Sequence, residues 1–177
     1  AWITGVAWLG IQALANWEPL TRDVAARVLA ADNLLMILGI FPLLKLVHEL
    51  GHAYATKYFG GEVHEMGIML LVGVPVPYVD ASASAAFPDK WRRALVGAAG
   101  VMAELVVACA AMAIWLSAET GFLRAAAFNV MAVAGVSTLI VNGNPLLRFD
   151  GYYILSDLIE VPNLASRANR YLAYLVN

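Results

Sequence analysis

The stretch His48-Glu49-Leu50-Gly51-His52 holds the residues whose types and spacing could do chemistry. On a helix His48 and His52 lie one turn apart on one face, so two imidazole nitrogens can reach a single zinc ion. Glu49 then stands beside the pair, placed to take a proton from a metal-activated water. A catalytic zinc takes three protein ligands and keeps one position open. The third must come from elsewhere, and Glu62, Glu65, His64, Asp80, Asp89, Glu104 and Asp150 are the choices. Asp150 stands out. It follows the break Asn142-Gly143-Asn144-Pro145 and precedes Gly151, where unwound backbone can turn a short carboxylate inward. The plainer role for Asp150 is to cap the helix that resumes there, in which case Glu62 becomes the first substitute. His64, beside Glu62 in a polar loop, reads as a surface histidine.

These residues must be positioned by an unusually apolar chain. Of its 177 residues, 62% are hydrophobic and only 14% charged, and the mean hydropathy is +0.73. Soluble domains do not reach these values, so the class is an all-α polytopic membrane protein. A net charge of −2, with no basic cluster interleaved with aromatics, excludes a nucleic-acid partner. Cys109 stands alone and reads as a small buried hydrophobe. The chain opens on Ala1 in an already apolar run, without a charged leader or cleavage site, and is read as a piece of a longer chain.

Three core spans are expected. The first covers about 33–58 and stops at Gly60-Gly61, the second 94–116 and the third 125–141, up to the break at Asn142. Between the first and second, residues 66–79 are too short, and too broken by Gly and Pro, to cross a bilayer. Their β-branched content predicts an extended, re-entrant or β-hairpin segment, which at membrane depth must be shielded by protein. The segment 1–32 is expected to hold an apolar stretch, either part of a span or an interfacial helix anchored by Trp2, Trp8 and Trp17, and an amphipathic linker. Residues 33–163 form the core, and 164–177 an amphipathic tail that is cut short. Lys57, Lys90, Arg92, Arg93, Arg167 and Arg170 outnumber Arg22, Arg27 and Arg124 across the spans, which turns the His48/His52 end toward the cytoplasm.

Two intramembrane charges need an explanation. Glu104 shares a face with Gly97, Gly100, Ala108 and Ala111, a small-residue stripe that lets another helix come close. Lys45 lies one turn before the histidines, and Lys45 and Glu104 are the expected partners.

In the two segments around His48 and Asp150 the chain resembles the site-2 proteases, a family of intramembrane zinc metalloproteases. Their H-E-x-x-H motif is matched by His48–His52. Their N-x-x-P-x-x-x-L-D-G motif is matched by Asn142 through Gly151, with Phe149 where leucine is usual. The run from Arg148 to Tyr153 is most similar to a bacterial peptide zinc metalloprotease branch linked to secretion proteins. A further pattern, G-P-x-x-N on the middle helix, survives only in altered form as Gly100 to Glu104. The resemblance covers about residues 33–163. It implies zinc ligands His48, His52 and Asp150, Glu49 as general base and acid, and Asn142 as a contact to the substrate backbone.

The expected function is therefore hydrolysis of peptide bonds in membrane-embedded or membrane-associated peptides, in the lipid bilayer of a bacterial cytoplasmic membrane. The segment 66–79 would hold the extended substrate by adding a strand. The alternative is a non-proteolytic subunit of a peptide export system that keeps a structural metal site, and a zinc hydrolase acting on lipid comes third. Glu49 argues against the structural-site alternative, since a structural site needs no base.

Overall fold

The computed structural model describes residues 1–71 and 73–176. The N-terminal apolar run forms α1, Trp2–Ala15, which lies along the central helix: Trp2 Nε1 donates to the carbonyl of Met102 at 3.1 Å, and Cys109 Sγ to that of Gly5 at 3.3 Å. Two short helices, α2 (Trp17–Thr21) and α3 (Val24–Leu29), lead into α4, Ala31–Tyr58. A hairpin of β1 (Met66–Leu71) and β2 (Val74–Val79) follows, then a 3-10 turn at Ser82–Ala86. The middle helix α5, Lys90–Ser117, begins with Asp89 accepting from the backbone N–H of Trp91. Helix α6, Phe122–Gly135, runs on through a wider π-helical stretch, Val136–Asn142. The chain then breaks and resumes as α7, Asp150–Leu158, and α8, Leu164–Val176.

Among the described residues three helical stretches are long and apolar enough to cross a membrane: Ala31–Tyr58, Lys90–Ser117 and Phe122–Asn142. At 1.5 Å per residue a 28-residue helix is ~42 Å long, against a hydrocarbon core of ~30 Å. Helix α4 shows how the bundle is built. Its buried residues are Leu44, His48, His52 and Thr56, one stripe at four-residue spacing, while Leu34, Leu35, Leu38, Leu43, Leu46 and Leu50 face outward. A polar stripe inside and leucines outside is the inverse of a water-soluble helix, and it fits a helix solvated by lipid.

Helix α5 sits at the centre, packed by α1, α4, α6 and α7. Away from the histidines it carries the apolar core, where Ala111, Met112 and Trp115 meet Ala127 and Phe128 of α6. Nearer the site, Ala108 closes against Leu44 and Ala134. The hairpin is antiparallel, with Ile68 opposite Pro77 and Leu70 opposite Pro75, and Gly73 at φ +82° shapes its turn. Strand β2 packs on α4. The shielding expected for this segment covers β2 only: Ile68 and Leu70 of β1 are 71% and 77% exposed.

Candidate metal centre

Each histidine owes its position to the crossing of α4 and α5, which is unusually close. A Cβ on Gly51 would fall 2.6 Å from the carbonyl oxygen of Ala99, so the residue between the two histidines has to be glycine for the backbones to touch. One residue further along α5, a Cβ on Gly100 would lie 2.4 Å from His52 Nε2 and 2.5 Å from His48 Nε2. The bare α-carbon of Gly100 leaves the room those two nitrogens face.

The other edge of each ring is tethered. His52 Nδ1 is 2.8 Å from the carbonyl of Val96, which can only accept, so Nδ1 carries the proton. His48 Nδ1 is 3.1 Å from Glu104 Oε1 and donates to that carboxylate. When the rings are neutral these Nδ1–H bonds leave each Nε2 as a bare lone pair, the tautomer a metal ligand needs. The two Nε2 atoms are 3.1 Å apart, and Asp150 Oδ2 lies 2.9 Å from His48 Nε2 and 3.5 Å from His52 Nε2. Asp150 Oδ2 is buried and accepts no hydrogen bond.

With both rings neutral, three lone-pair atoms converge on one point, an arrangement that a bound cation would join. Their separations match the ~3.3 Å edge of a tetrahedron with bonds of ~2.0–2.1 Å. His48, His52 and Asp150 can hold a metal ion, and they are the one such His/Cys/Asp/Glu group among the described residues. Asp150 is the first residue of α7 and makes no capping hydrogen bond, so the plainer role read from sequence is not the one it takes. The start of α7 rests directly on the break: a Cβ on Gly151 would meet the Gly143 carbonyl oxygen at 2.7 Å. Glu62 is exposed and lies 3.7 Å from the equally exposed His64. Asp80 and Asp89 bond the backbone N–H groups of Ser82 and Trp91.

The pairing of Lys45 with Glu104 is corrected by the structure. Glu104 is fully buried and takes three donors: His48 Nδ1, Ser137 Oγ at 3.1 Å and Thr138 Oγ1 at 2.6 Å. No ion pair joins it to Lys45 among the described residues. Lys45, one turn before His48 on much the same side of α4, is half-buried, while both Glu104 oxygens are already taken by the imidazole and the two hydroxyls. The donors from α6 arrive through the π-helical stretch, whose signature is the i to i+5 bond from the Gly143 N–H to the Thr138 carbonyl, 2.7 Å. That wider turn brings Ser137, Thr138 and Asn142 to one side. Asn142 is buried, donates to Ser137 Oγ at 3.1 Å and lies 3.5 Å from His48 Nδ1. Its carboxamide nitrogen thus faces Ser137 and the tethered edge of His48.

Beside the three ligand atoms opens a cavity of about 500 Å³ whose walls include Glu49, His52, Asp150, Ser82 and Tyr153. Arg93, bonded to Asp157 at 2.9 Å, closes its α7 side.

No family model and no solved structure matches the chain. A stretch of 102 residues, 56% of the chain, is 37% identical to an uncharacterized protein of Methanocaldococcus jannaschii, an archaeon. The matched stretch spans 28% of that protein's length.

Proposed function

We propose that this chain is the core of an intramembrane zinc metalloprotease that cleaves membrane-embedded or membrane-associated peptides, as the resemblance to the site-2 proteases implies. The observation that carries the proposal is the convergence of three potential ligand atoms, from His48, His52 and Asp150, on one point beside a cavity that also holds the Glu49 carboxylate. A zinc ion held by His48, His52 and Asp150 would polarise the scissile carbonyl and acidify a water. Glu49 lines the same cavity and forms no hydrogen bond or ion pair among the described residues, so its oxygens are available to move a proton. Glu49 takes the proton as the water oxygen bonds to the carbonyl carbon, then gives it to the departing amine nitrogen as the C–N bond breaks. Glu104 and the Val96 carbonyl hold the two rings in the ligating tautomer throughout. The reading places the three apolar stretches across a bilayer, with the His48/His52 end at the cytoplasmic face on the strength of its lysines and arginines.

Glu49→Gln tests this directly. The amide keeps the size and loses the base, so metal content should stay stoichiometric while cleavage of a model membrane peptide falls by at least ~10². Loss of metal in this variant would make Glu49 a ligand and reject the mechanism. Full metal occupancy with no hydrolysis by the unaltered protein would favour the structural-site alternative.

A further inference from the structure

A second site lies at the far end of the bundle, about 15 residues and ~22 Å of helix away from the histidines. There the end of α3, the first turn of α4 and the first turn of α6 surround a cavity of about 550 Å³. Two arginines line it, and both are built in the same way. The guanidinium of Arg27 lies over the ring of Phe128, and that of Arg124 over Trp115, each 4.4 Å from the ring centroid. Both rings belong to the buried core of α5 and α6, so the cations are held on fixed platforms.

Neither arginine is neutralised. Among the described residues no carboxylate pairs with Arg27 or Arg124. Asp32, in the first turn of α4, lines the same cavity without reaching either. The two arginines and this one carboxylate leave the lining with a net positive charge. Their hydrogen bonds use a single nitrogen each: Arg27 Nη2 holds the carbonyls of Pro19, Leu20 and Arg22, and Arg124 Nη1 holds that of Ala118. Arg27 Nε is buried with no acceptor. Thr120 and Gly121, next to the N-terminus of α6, complete the wall. Helix ends that only needed capping would be satisfied by those carbonyl contacts. They do not account for two rigid, unpaired guanidinium groups facing one space.

We propose that this cavity binds a phosphate group, with Arg27 and Arg124 supplying the charge and Thr120 a hydroxyl donor. Guanidinium groups match phosphate oxygens in geometry as well as sign. The cavity lies at the ends of the membrane-length helices, where Trp17, Phe122 and Leu123 are exposed, so the headgroup of an acidic phospholipid can reach it. Free inorganic phosphate offers the same chemistry. The site is independent of the metal centre and stands or falls apart from the proposed proteolysis.

The test uses the full chain in neutral detergent micelles, with three probes: short-chain phosphatidic acid, diacylglycerol with the same acyl chains, and inorganic phosphate. Phosphatidic acid should bind at least tenfold more tightly than the diacylglycerol. The preference should disappear in Arg27→Gln/Arg124→Gln and persist in Arg27→Lys/Arg124→Lys. Inorganic phosphate that binds as well as the lipid, and needs both arginines, supports the site with a free anion as ligand. Equal binding of phosphatidic acid and diacylglycerol with no phosphate binding overturns the proposal, as does undiminished binding by a folded Gln variant. Should the Gln variants fail to fold, the comparison of the three probes on the unaltered protein still decides.

Discussion

The two ends of the α4–α5–α6 bundle handle buried charge in opposite ways. At the histidine end the buried Glu104 and both imidazoles are enclosed by partners. Glu104 takes three donors, both imidazoles are tethered at Nδ1, and what is left over points at one spot. At the arginine end the charges rest on aromatic faces, and among the described residues no carboxylate is within ion-pair distance of them. A closed network fixes distances to a few tenths of an ångström, because moving one member strands another. Stacked cations leave their outer donors open and hold whatever anion arrives. Perturbation should therefore spread at the first end and stay local at the second.

The largest effect should come from the smallest change. Gly100→Ala places a methyl group within 2.5 Å of both Nε2 atoms, and neither ring can retreat without breaking its Nδ1 bond. Metal affinity, measured by competition with a chromophoric chelator, should fall by more than ~100-fold, beyond the usual loss of one outer hydrogen bond. An unchanged affinity would show that the nitrogens do not ligate on the side facing α5. Glu104→Gln comes next. The amide cannot take all three donors as a carboxylate does, and the His48 ring loses its charged support, so metal affinity should drop ~10–100-fold. Loss confined to thermal stability, with metal affinity intact, would reduce Glu104 to a helix-packing residue. At the other end Arg124→Gln removes one cation–π contact, worth about 0.5–1 kcal/mol. Its metal affinity should stay within about twofold of the unaltered protein, and a larger change would mean that the two ends are coupled.

How much of this could be read in the sequence depended on whether the signal was local. The three apolar stretches, the hairpin between the first two and the break after Asn142 are written in runs of neighbouring residues, and the structure has all of them within a few positions. His48, His52 and Asp150 were legible because spacing and a Gly/Pro break mark them. Glu104 was recognised as inward-facing from its stripe of small residues, yet its partner was misassigned. Charge complementarity pointed to Lys45, whereas the carboxylate is satisfied by an imidazole from α4 and two hydroxyls from the π-helical stretch, a meeting of three helices that no local run encodes. The π-helical stretch was missed for a related reason. Val136 to Asn142 reads as ordinary helix, and only the three-way bond of Glu104 to Ser137, Thr138 and His48 shows why the wider turn is kept. Gly100 was read as part of a small-residue stripe and Gly51 only as a letter of the motif, because their contacts with the imidazoles and the Ala99 carbonyl exist only after the helices cross.

The prolines of the hairpin carry one last consequence. Pro75 and Pro77 have no N–H to donate, and both sit in β2, opposite Leu70 and Ile68. With the ladder to β1 intact, the donors they lack are those of β2's other edge, which already lies toward α4. Hydrogen bonding to a further chain is thereby made one-sided, with only the outer edge of β1 able to accept it. In hydrocarbon that edge would leave each unpaired N–H and C=O at a cost of several kcal/mol. The strand must therefore sit in water or at the interface, or be covered. Outside a bilayer its row of exposed Met66, Ile68 and Leu70 makes it the part of the surface most prone to self-association, always through the same edge.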